Sequence, residues 1–176
     1  MADINAISAK PAIDGIDAID RQILNRLQAD GRMANNLLAD EVGLSPSACL
    51  RRVRRLEDDG VIAGFVALVD PRAIGRPVDV FVEITLTSQA EQVLAGFEEA
   101  VATCPEVMSC HLMAGDFDYL MHLSVADTFD YERIHKAHLA RLPNVSRLVS
   151  SFAIRTIYST TRHELSNSDD NAPWPV

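Results

Sequence analysis

The chain has 176 residues, of which 48% are apolar and 6% aromatic, so it is long enough for two small domains with mainly aliphatic cores. No stretch approaches the about 20 consecutive apolar residues that cross a bilayer, and the N-terminus lacks a secretory signal pattern, so we expect a cytoplasmic protein with no membrane partner. Averaged over the chain, the net charge of −9 argues against nucleic acid as a partner. However, four arginines fall within the five residues 51–55.

Apolar residues at three- and four-residue spacing predict a first helix that follows Asp17 and stops at Gly31. Asp17 is its predicted N-cap, because a side-chain oxygen there accepts a hydrogen bond from the first turn. A second short helix is predicted over residues 35–42. Its N-cap position, Ala34, has no capping side chain, so Asn35 is predicted to serve instead.

The sequence Gly43-Leu44-Ser45-Pro46 predicts a tight turn and then a third helix over Pro46–Asp58. Glycine permits left-handed backbone, Ser45 can cap the helix, and a proline suits the first helical position, where no hydrogen bond is lost. The predicted inward face consists of Cys49, Val53 and Leu56. Three short helices with a glycine turn before the last one are typical of a helix-turn-helix.

The outward side of the third helix has small residues at its N-terminal end and arginines one turn later. Small side chains let a helix lie deep in the major groove, and arginines can reach base edges or phosphates. The predicted DNA-binding residues are Ser45, Ser47, Ala48, Arg51, Arg52, Arg54 and Arg55. The alternative is a solvated surface helix whose arginines pair with the carboxylates of residues 57–59.

Beyond Gly60 the apolar period changes from 3.6 to 2, which is typical of strands. Residues 64–70 are strand-like, and Val78–Leu86 alternates as a half-buried strand whose second face, with Phe81, is predicted to be partly covered. A capping-box pattern at residues 88–91 predicts a helix that ends near Cys104. The remaining predicted elements are strands over about 107–114 and 119–125, a helix from Asp127 to about 142, and a last strand over about 145–158. This order, βαββαβ, is that of a ferredoxin-like unit.

Cysteine and histidine offer no metal or catalytic pattern. The three cysteines form no C-x-x-C pair, so we expect free thiols in a reducing compartment, no metal and no cofactor. Cys110 and His111 are adjacent on a predicted strand and therefore point to opposite faces. The sequence has no nucleophile elbow and no glycine-rich phosphate loop, so we do not expect the protein to be an enzyme.

Spaced motifs in both halves resemble the leucine-responsive regulator/AsnC (Lrp/AsnC) family over about residues 14–158. They are Asp20-Arg21-Gln22-Ile23-Leu24, Asp30-Gly31-Arg32, Val42-Gly43-Leu44-Ser45-Pro46, residues 51–57, Gly60-Val61-Ile62, residues 80–86, Cys110-His111-Leu112 and residues 115–120. The resemblance implies an α+β chain, in which a winged-type helix-turn-helix of three helices precedes a ferredoxin-like, RAM/ACT-like domain. The predicted segments are a flexible arm (1–13), the helix-turn-helix (14–62), a strand and linker (63–77), an effector-binding and oligomerisation domain (78–158) and a polar, loose tail (159–176).

Gly115-Asp116-Phe117-Asp118, taken alone, is a hairpin loop, with glycine for the turn and aspartates for local hydrogen bonds. The resemblance implies more, because in this family the loop lies between dimers and binds an amino-acid effector. The residues that match are Met113, Gly115, Asp116, Asp118 and Tyr119, with Ser150 and Ser151 on the last strand.

The favoured hypothesis is a sequence-specific DNA-binding transcription regulator that responds to an amino acid or a related metabolite. Self-association is expected, because a dimer reads two half-sites about 34 Å apart, and the resemblance extends this to tetramers or octamers. Two alternatives stay open. One is a metabolic regulatory subunit or enzyme with a helical docking domain, and the other is an architectural protein that wraps DNA without an effector.

Overall fold

The computed structural model describes residues 15–165 and divides the chain into two compact units. Unit 1 combines Met1–Ala67 with Ser159–Val176, and unit 2 is Leu68–Tyr158. The predicted arm, 1–13, and the end of the predicted tail, 166–176, lie outside the described residues. Within the described range, no helix has the length and apolar character needed to cross a membrane.

Unit 1 contains three helices: α1 (Ala18–Ala29), α2 (Asn35–Glu41) and α3 (Pro46–Asp58). Asp17 caps α1 as predicted and forms a capping box with Asp20, in which each side chain accepts the other residue's backbone N–H, at 2.8 and 3.2 Å. Ser45 caps α3, because its Oγ accepts the N–H of Ala48 at 3.3 Å. The predicted turn is present, with Gly43 in left-handed backbone at φ +69°.

The predicted cap of α2 is wrong. Ala34 occupies the N-cap position without a side-chain hydrogen bond, and Asn35 lies inside the helix. The Asn35 side-chain amide instead donates to the backbone oxygen of Pro46 at 2.9 Å. Asn35 therefore connects α2 to the start of α3 rather than closing its own helix.

The core of unit 1 lies between the three helices and confirms the predicted inward face of α3. Cys49 and Leu56 are buried, and Val53 packs beside them. Their buried neighbours are Ile23, Leu24, Leu38, Ala39 and Val42. Full burial of an aliphatic side chain contributes about 1.5–3 kcal/mol, so this cluster is what keeps α3 in place.

Unit 2 has the predicted βαββαβ order. Its elements are β1 (Val78–Leu86), α4 (Glu91–Ala102), β2 (Val107–Leu112), β3 (Tyr119–Val125), α5 (Thr128–Ala137) with a 3-10 turn at Leu139–Arg141, and β4 (Val145–Phe152). The strands form one antiparallel sheet in the order β2-β3-β1-β4.

The sheet of unit 2 has two unlike faces. Val80, Val82 and Ile84 of β1 are fully buried in the core that includes Phe97 of α4 and Ile134 of α5. The intervening residues of β1 point to the other face, where the Phe81 ring stacks on His122 with ring centroids 4.9 Å apart. Phe81 remains 40% exposed, so this open face of the sheet has only partial cover.

Several predicted elements differ from the structure. β2 ends at Leu112 rather than at 114, and α5 ends at Ala137 rather than at 142, with a separate 3-10 turn after it. Residues 64–70 form no strand, because no segment of the described chain pairs with them and alternation alone supplies no hydrogen-bond partner. The predicted capping box of α4 is absent: Ala90 is the N-cap without a side-chain bond, and Ser88 Oγ accepts the Ala90 N–H within the loop, at 3.1 Å. β4 ends at Phe152 rather than 158, because its ladder with β1 ends at the pair Val80–Phe152, two residues from the start of β1.

Candidate nucleic-acid interface and effector site

Helix α3 presents an exposed face made of the small and basic residues that the sequence indicates. Ser47, Arg51 and Arg54 are exposed, and Ala48 is partly exposed between them. Ser47, Arg51 and Arg54 border a groove of about 470 Å³. The groove is lined by Ser47, Leu50, Arg51, Arg54, Arg55, Asp58 and Asp59.

Two of the predicted DNA-binding arginines are held within unit 1 by carboxylates of α1. Arg52 donates from Nη1 to Asp17 Oδ2 at 2.6 Å and to Asp20 Oδ1 at 2.9 Å. Arg55 forms an ion pair with the second oxygen of Asp20. These partners lie at the start of α1. The alternative of arginines paired with the carboxylates of residues 57–59 is not what the structure shows for Arg52 and Arg55.

The ion pairs place a fully buried carboxylate between two helices. Asp20 has no exposed surface, and its two carboxylate oxygens accept hydrogen bonds from the two arginines and from the Asp17 N–H. The hydrogen bonds that Arg52 donates to Asp17 and Asp20 raise the pKa of its guanidinium. The pKa of Asp17 is lowered, first by the backbone N–H of Asp20 and then by Arg52. The contacts connect α1 to α3 and leave Arg51 and Arg54 pointing outward.

In unit 2, Asp118 is buried and fixes the loop between β2 and β3. Its Oδ2 accepts the N–H of Leu86 at 2.7 Å and its Oδ1 accepts the Gln89 side-chain amide at 2.7 Å. Its backbone N–H donates to the oxygen of Ile84 at 2.9 Å, and its backbone oxygen accepts the N–H of Met113 at 2.8 Å. Asp118 therefore connects the end of β1, the loop before α4 and the residue that follows β2. Its carboxylate points into the protein.

Tyr119 is also directed into the protein. Its ring lies 4.5 Å from that of Phe97, centroid to centroid, and its hydroxyl donates to Glu98 Oε1 at 2.7 Å. Burial, and after it the bond to Glu98, raises the pKa of the Tyr119 hydroxyl. Met113, Gly115 and Asp116 are exposed. The five predicted effector residues of this region thus divide into three at the surface and two inside.

Ser150 and Ser151 lie on opposite faces of the sheet, as adjacent strand residues must. Ser150 pairs with Val82 in the ladder and forms a hydrogen bond with the Tyr131 hydroxyl on the helix-covered face. Ser151 pairs with Phe81 on the open face. Because β1 separates β4 from β3, a spacing of about 10 Å, neither serine joins the β2–β3 loop within one chain.

Gln89 and Glu98 are the residues that sequence reasoning missed here. Each holds a predicted effector residue, Asp118 and Tyr119 respectively. The only signal at Gln89 was its place in the capping-box pattern, which pointed to a different role. For Glu98 there was no signal in the sequence, because nothing distinguishes it from the other charged residues of α4.

The three cysteines are free thiols, with Cys49 and Cys104 buried and Cys110 partly buried. Burial raises the pKa of all three, and that of Cys110 reaches about 11, with Glu98 as a second cause. Cys110 packs against the helix side of the sheet, while His111 is exposed. Among residues 15–165, no group of three or more His, Cys, Asp or Glu side chains could hold a metal ion.

Two family models match the sequence. Residues 16–63 match a winged helix-turn-helix DNA-binding domain, and residues 79–163 match the Lrp/AsnC ligand binding domain. The leucine-responsive regulatory protein of Escherichia coli K12 is 48% identical over 131 residues, which are 74% of this chain and 80% of that protein.

Solved structures of two bacterial regulators are also similar. An AsnC family transcriptional regulator from Agrobacterium tumefaciens has a TM-score of 0.80 at 39% identity, covering 84% of this chain and 96% of that chain. A transcriptional regulator from Neisseria meningitidis, solved as a complex with L-Met, has a TM-score of 0.77 at 33% identity, covering 82% of this chain and 94% of that chain. With a helix-turn-helix in unit 1 and an Lrp/AsnC ligand-binding domain in unit 2, this chain belongs to the Lrp/AsnC family of DNA-binding transcriptional regulators.

Proposed function

We propose that this regulator reads DNA with the exposed face of α3, through Ser47, Ala48, Arg51 and Arg54. The observation that carries the proposal is the division of the arginine run. Arg51 and Arg54 project outward, whereas the other two arginines are bound to carboxylates of α1. On a chain with a net charge of −9, attraction to phosphates must be concentrated at such a local basic surface.

Arg52 and Arg55 then act as positioning residues. Their bonds to Asp17 and Asp20 hold α3 against α1 and set the angle at which the helix meets the groove. Ser45 has a similar part, because its hydroxyl is used to cap α3. Of the seven predicted DNA-binding residues, we therefore assign these three to the placement of the helix and four to contact.

The test is the double variant Arg51→Ala/Arg54→Ala, with Arg141→Ala, an exposed arginine of unit 2, as the matched control. A duplex selected from a random-sequence pool by the wild-type protein serves as the probe. Each lost phosphate contact should reduce the slope of log K against log salt by about 0.9, and each lost bidentate base contact should cost about 1–3 kcal/mol. Unchanged affinity in the double variant, or equal loss in the control, would contradict the assignment.

We further propose that the effector is an amino acid bound at the exposed rim of the β2–β3 loop, formed by Met113, Gly115 and Asp116. The Asp116 carboxylate can receive an α-ammonium group, and loop N–H groups can receive an α-carboxylate. The similar Neisseria regulator was solved with L-Met, which supports a ligand of this class. Asp118 and Tyr119 support the rim from inside.

The two serines of β4 differ in whether they could contact an effector at this site. Ser151, on the open face, can take part only if another protomer supplies it, because β4 and β2 are opposite edges of the sheet. Ser150 is held by Tyr131 on the helix side. The proposed site therefore lies between protomers if Ser151 is a ligand residue.

Thermal unfolding with each of the twenty amino acids tests the effector site. A ligand present at a hundredfold excess over its Kd stabilises the folded state by about 2.7 kcal/mol, so its binding raises Tm measurably. We expect L-methionine or another aliphatic amino acid to raise the Tm of the wild type and of Asp58→Ala, but not of Asp116→Ala. Equal stabilisation of Asp116→Ala would place the ligand elsewhere. The same screen separates this function from effector-independent DNA wrapping, for which no amino acid changes Tm or DNA affinity.

We propose that the protein acts as a dimer that assembles into tetramers or octamers. Two observations support this. One DNA-reading helix makes few contacts, so two are needed for a specific site. In addition, the open face of the sheet carries the partly exposed Phe81, and Leu120 and Val149 lie on the same face as the ladder partners of Glu83, two residues further along β1.

We propose a cytoplasmic location, because a regulator must share a compartment with the DNA that it binds. The relatives that establish the family are transcriptional regulators, and we propose no enzymatic activity for this chain.

A further inference from the structure

Residues 159–165, here named the C-terminal strap, form part of unit 1 although they follow unit 2 in the sequence. The prediction of a loose tail is therefore wrong for these residues. The side-chain amide of Gln28 donates to the backbone oxygen of His163 at 3.1 Å, and its oxygen accepts the His163 N–H at 2.6 Å. Gln28 thus pairs with both backbone groups of His163, as a neighbouring strand would.

Two further contacts extend the docking of the strap. Asn25, one turn before Gln28 on α1, donates its side-chain amide to the backbone oxygen of Leu165 at 3.2 Å. Leu165 is partly buried and packs against the core of unit 1. It lines an apolar groove of about 470 Å³ together with Leu24, Leu27 and Phe65. The strap is therefore held by polar pairing along α1 and by one apolar anchor.

Helix α1 has a second role at its other end. Asp17 and Asp20, in its first turn, hold Arg52 and Arg55 of α3. The same rigid helix therefore carries the strap on its C-terminal half and positions the DNA-reading helix with its N-terminal half. A helix of 12 residues transmits a displacement from one end to the other, because its backbone hydrogen bonds resist bending.

The strap also continues directly from the sheet of unit 2. β4 ends at Phe152, and the chain enters unit 1 again at Ser159. The chain consequently passes between the two units twice, at Ala67–Leu68 and at Tyr158–Ser159. The second passage links the strand of Ser150 and Ser151 to α1 without an intervening element of secondary structure.

We propose that the C-terminal strap is an integral part of the DNA-binding unit, and that its docking on α1 relays the state of the ligand-binding domain to the reading helix α3. The relay rests on the proposed function of unit 2 as effector sensor. Its polar contacts are exposed, so docking is weak enough for the strap to be released by a modest change at the end of β4. Release removes the anchor Leu165 from its groove and loosens α1, and with it the placement of α3.

The test is the full-length double variant Asn25→Ala/Gln28→Ala, with Gln22→Ala as the matched control. Gln22 is exposed on the same helix and makes none of the described hydrogen bonds to the strap. Alanine has the highest helix propensity, so any loss of order in the double variant comes from the lost strap contacts rather than from a weaker helix. The second variant, Leu165→Ala, removes the apolar anchor and leaves α1 intact.

We expect faster amide hydrogen exchange across α1 in both strap variants, with α5 of unit 2 unchanged. DNA affinity, measured with the duplex selected by the wild type, should fall about fivefold or more, the lower range of typical coupling between sites. Unchanged exchange in α1 would overturn the docking. Faster exchange with unchanged or higher DNA affinity would overturn the control of DNA binding.

The relay is measured separately, with L-methionine as the probe. In the wild type and in Gln22→Ala, L-methionine should change DNA affinity, whereas in the double variant this change should be lost while the L-methionine-induced rise in Tm remains. A change of equal size in the double variant would overturn the relay. If no amino acid affects the wild type, the proposed effector function and the relay fail together, and the exchange and affinity results still decide whether the strap belongs to the DNA-binding unit.

Discussion

At the scale of single residues, the two units depend on buried carboxylates in the same way. Asp20 accepts hydrogen bonds from two arginines of α3, and Asp118 accepts them from Leu86 and Gln89. Each carboxylate holds segments that are distant in the sequence. Burial makes each bond costly to lose, because its donors then have no water to replace the oxygen. Both carboxylates are engaged with groups of the protein beside the sites proposed for DNA and effector.

This view of Asp118 makes a prediction that separates it from its neighbour in the loop. Asp118→Ala leaves the Leu86 N–H and the Gln89 amide without their acceptor, so the free energy of unfolding should fall by about 1–3 kcal/mol. Asp116→Ala, at an exposed position, should change it by no more than about 0.5 kcal/mol. Urea unfolding of both variants measures the difference, and equal stability would contradict the structural role of Asp118.

At the scale of the elements, the start of α3 depends on three consecutive choices in the sequence. Gly43 takes the left-handed turn, Ser45 caps the helix and Pro46 begins it. This arrangement brings the exposed Ser47 into the first turn, where a helix that lies in the major groove meets base edges. The cap thus determines where the reading surface begins.

A cap variant tests this at the level of stability. Ser45→Ala removes the oxygen that accepts the Ala48 N–H and should lower the free energy of unfolding by about 1 kcal/mol. Ser47→Ala is the matched control, since Ser47 lies inside the helix and the capping bond remains. Denaturant unfolding followed by circular dichroism gives both values. A larger loss in Ser47→Ala than in Ser45→Ala would show that the capping assignment is mistaken.

At the scale of the whole molecule, we propose that this acidic protein concentrates its contact with DNA on one helix and its self-association on one face of a sheet. The helices of unit 2 cover one side of the sheet, and Phe81 is stacked on His122 but 40% exposed on the other. Phe81, with Leu120 and Val149 on the same face of the sheet, forms an apolar patch of the kind that marks an interface.

Phe81→Glu should therefore shift the protein to smaller species in light scattering, because a charge at that position would be buried in the interface without a partner. Phe129→Glu is the control, since Phe129 is 79% exposed on α5 and does not lie on the sheet. Circular dichroism should be unchanged in both variants. If the two behave alike, the open face is not the assembly surface.

Features that depend on neighbouring residues could be predicted from the sequence. The periods of 3.6 and 2, the caps at Asp17, Ser45 and Asp127, and the turn at Gly43 are all set within a few positions, and the structure confirms them. The element order and the outward face of α3 follow from those local rules. The strand predicted at residues 64–70 and the end of β4 predicted at 158 were wrong. In both places, the alternating residues have no neighbouring strand in the described chain to pair with.

Which polar side chains form hydrogen bonds inside the fold depends on tertiary packing. The bonds from Arg52 and Arg55 to Asp20 join residues 32 and 35 positions apart, that from Gln89 to Asp118 spans 29, and that from Gln28 to His163 spans 135. No local pattern encodes such distances, because they result from the packing of whole elements. Packing therefore separated Arg51 and Arg54 from the two arginines that pair with Asp17 and Asp20, and it placed residues 159–165 in unit 1.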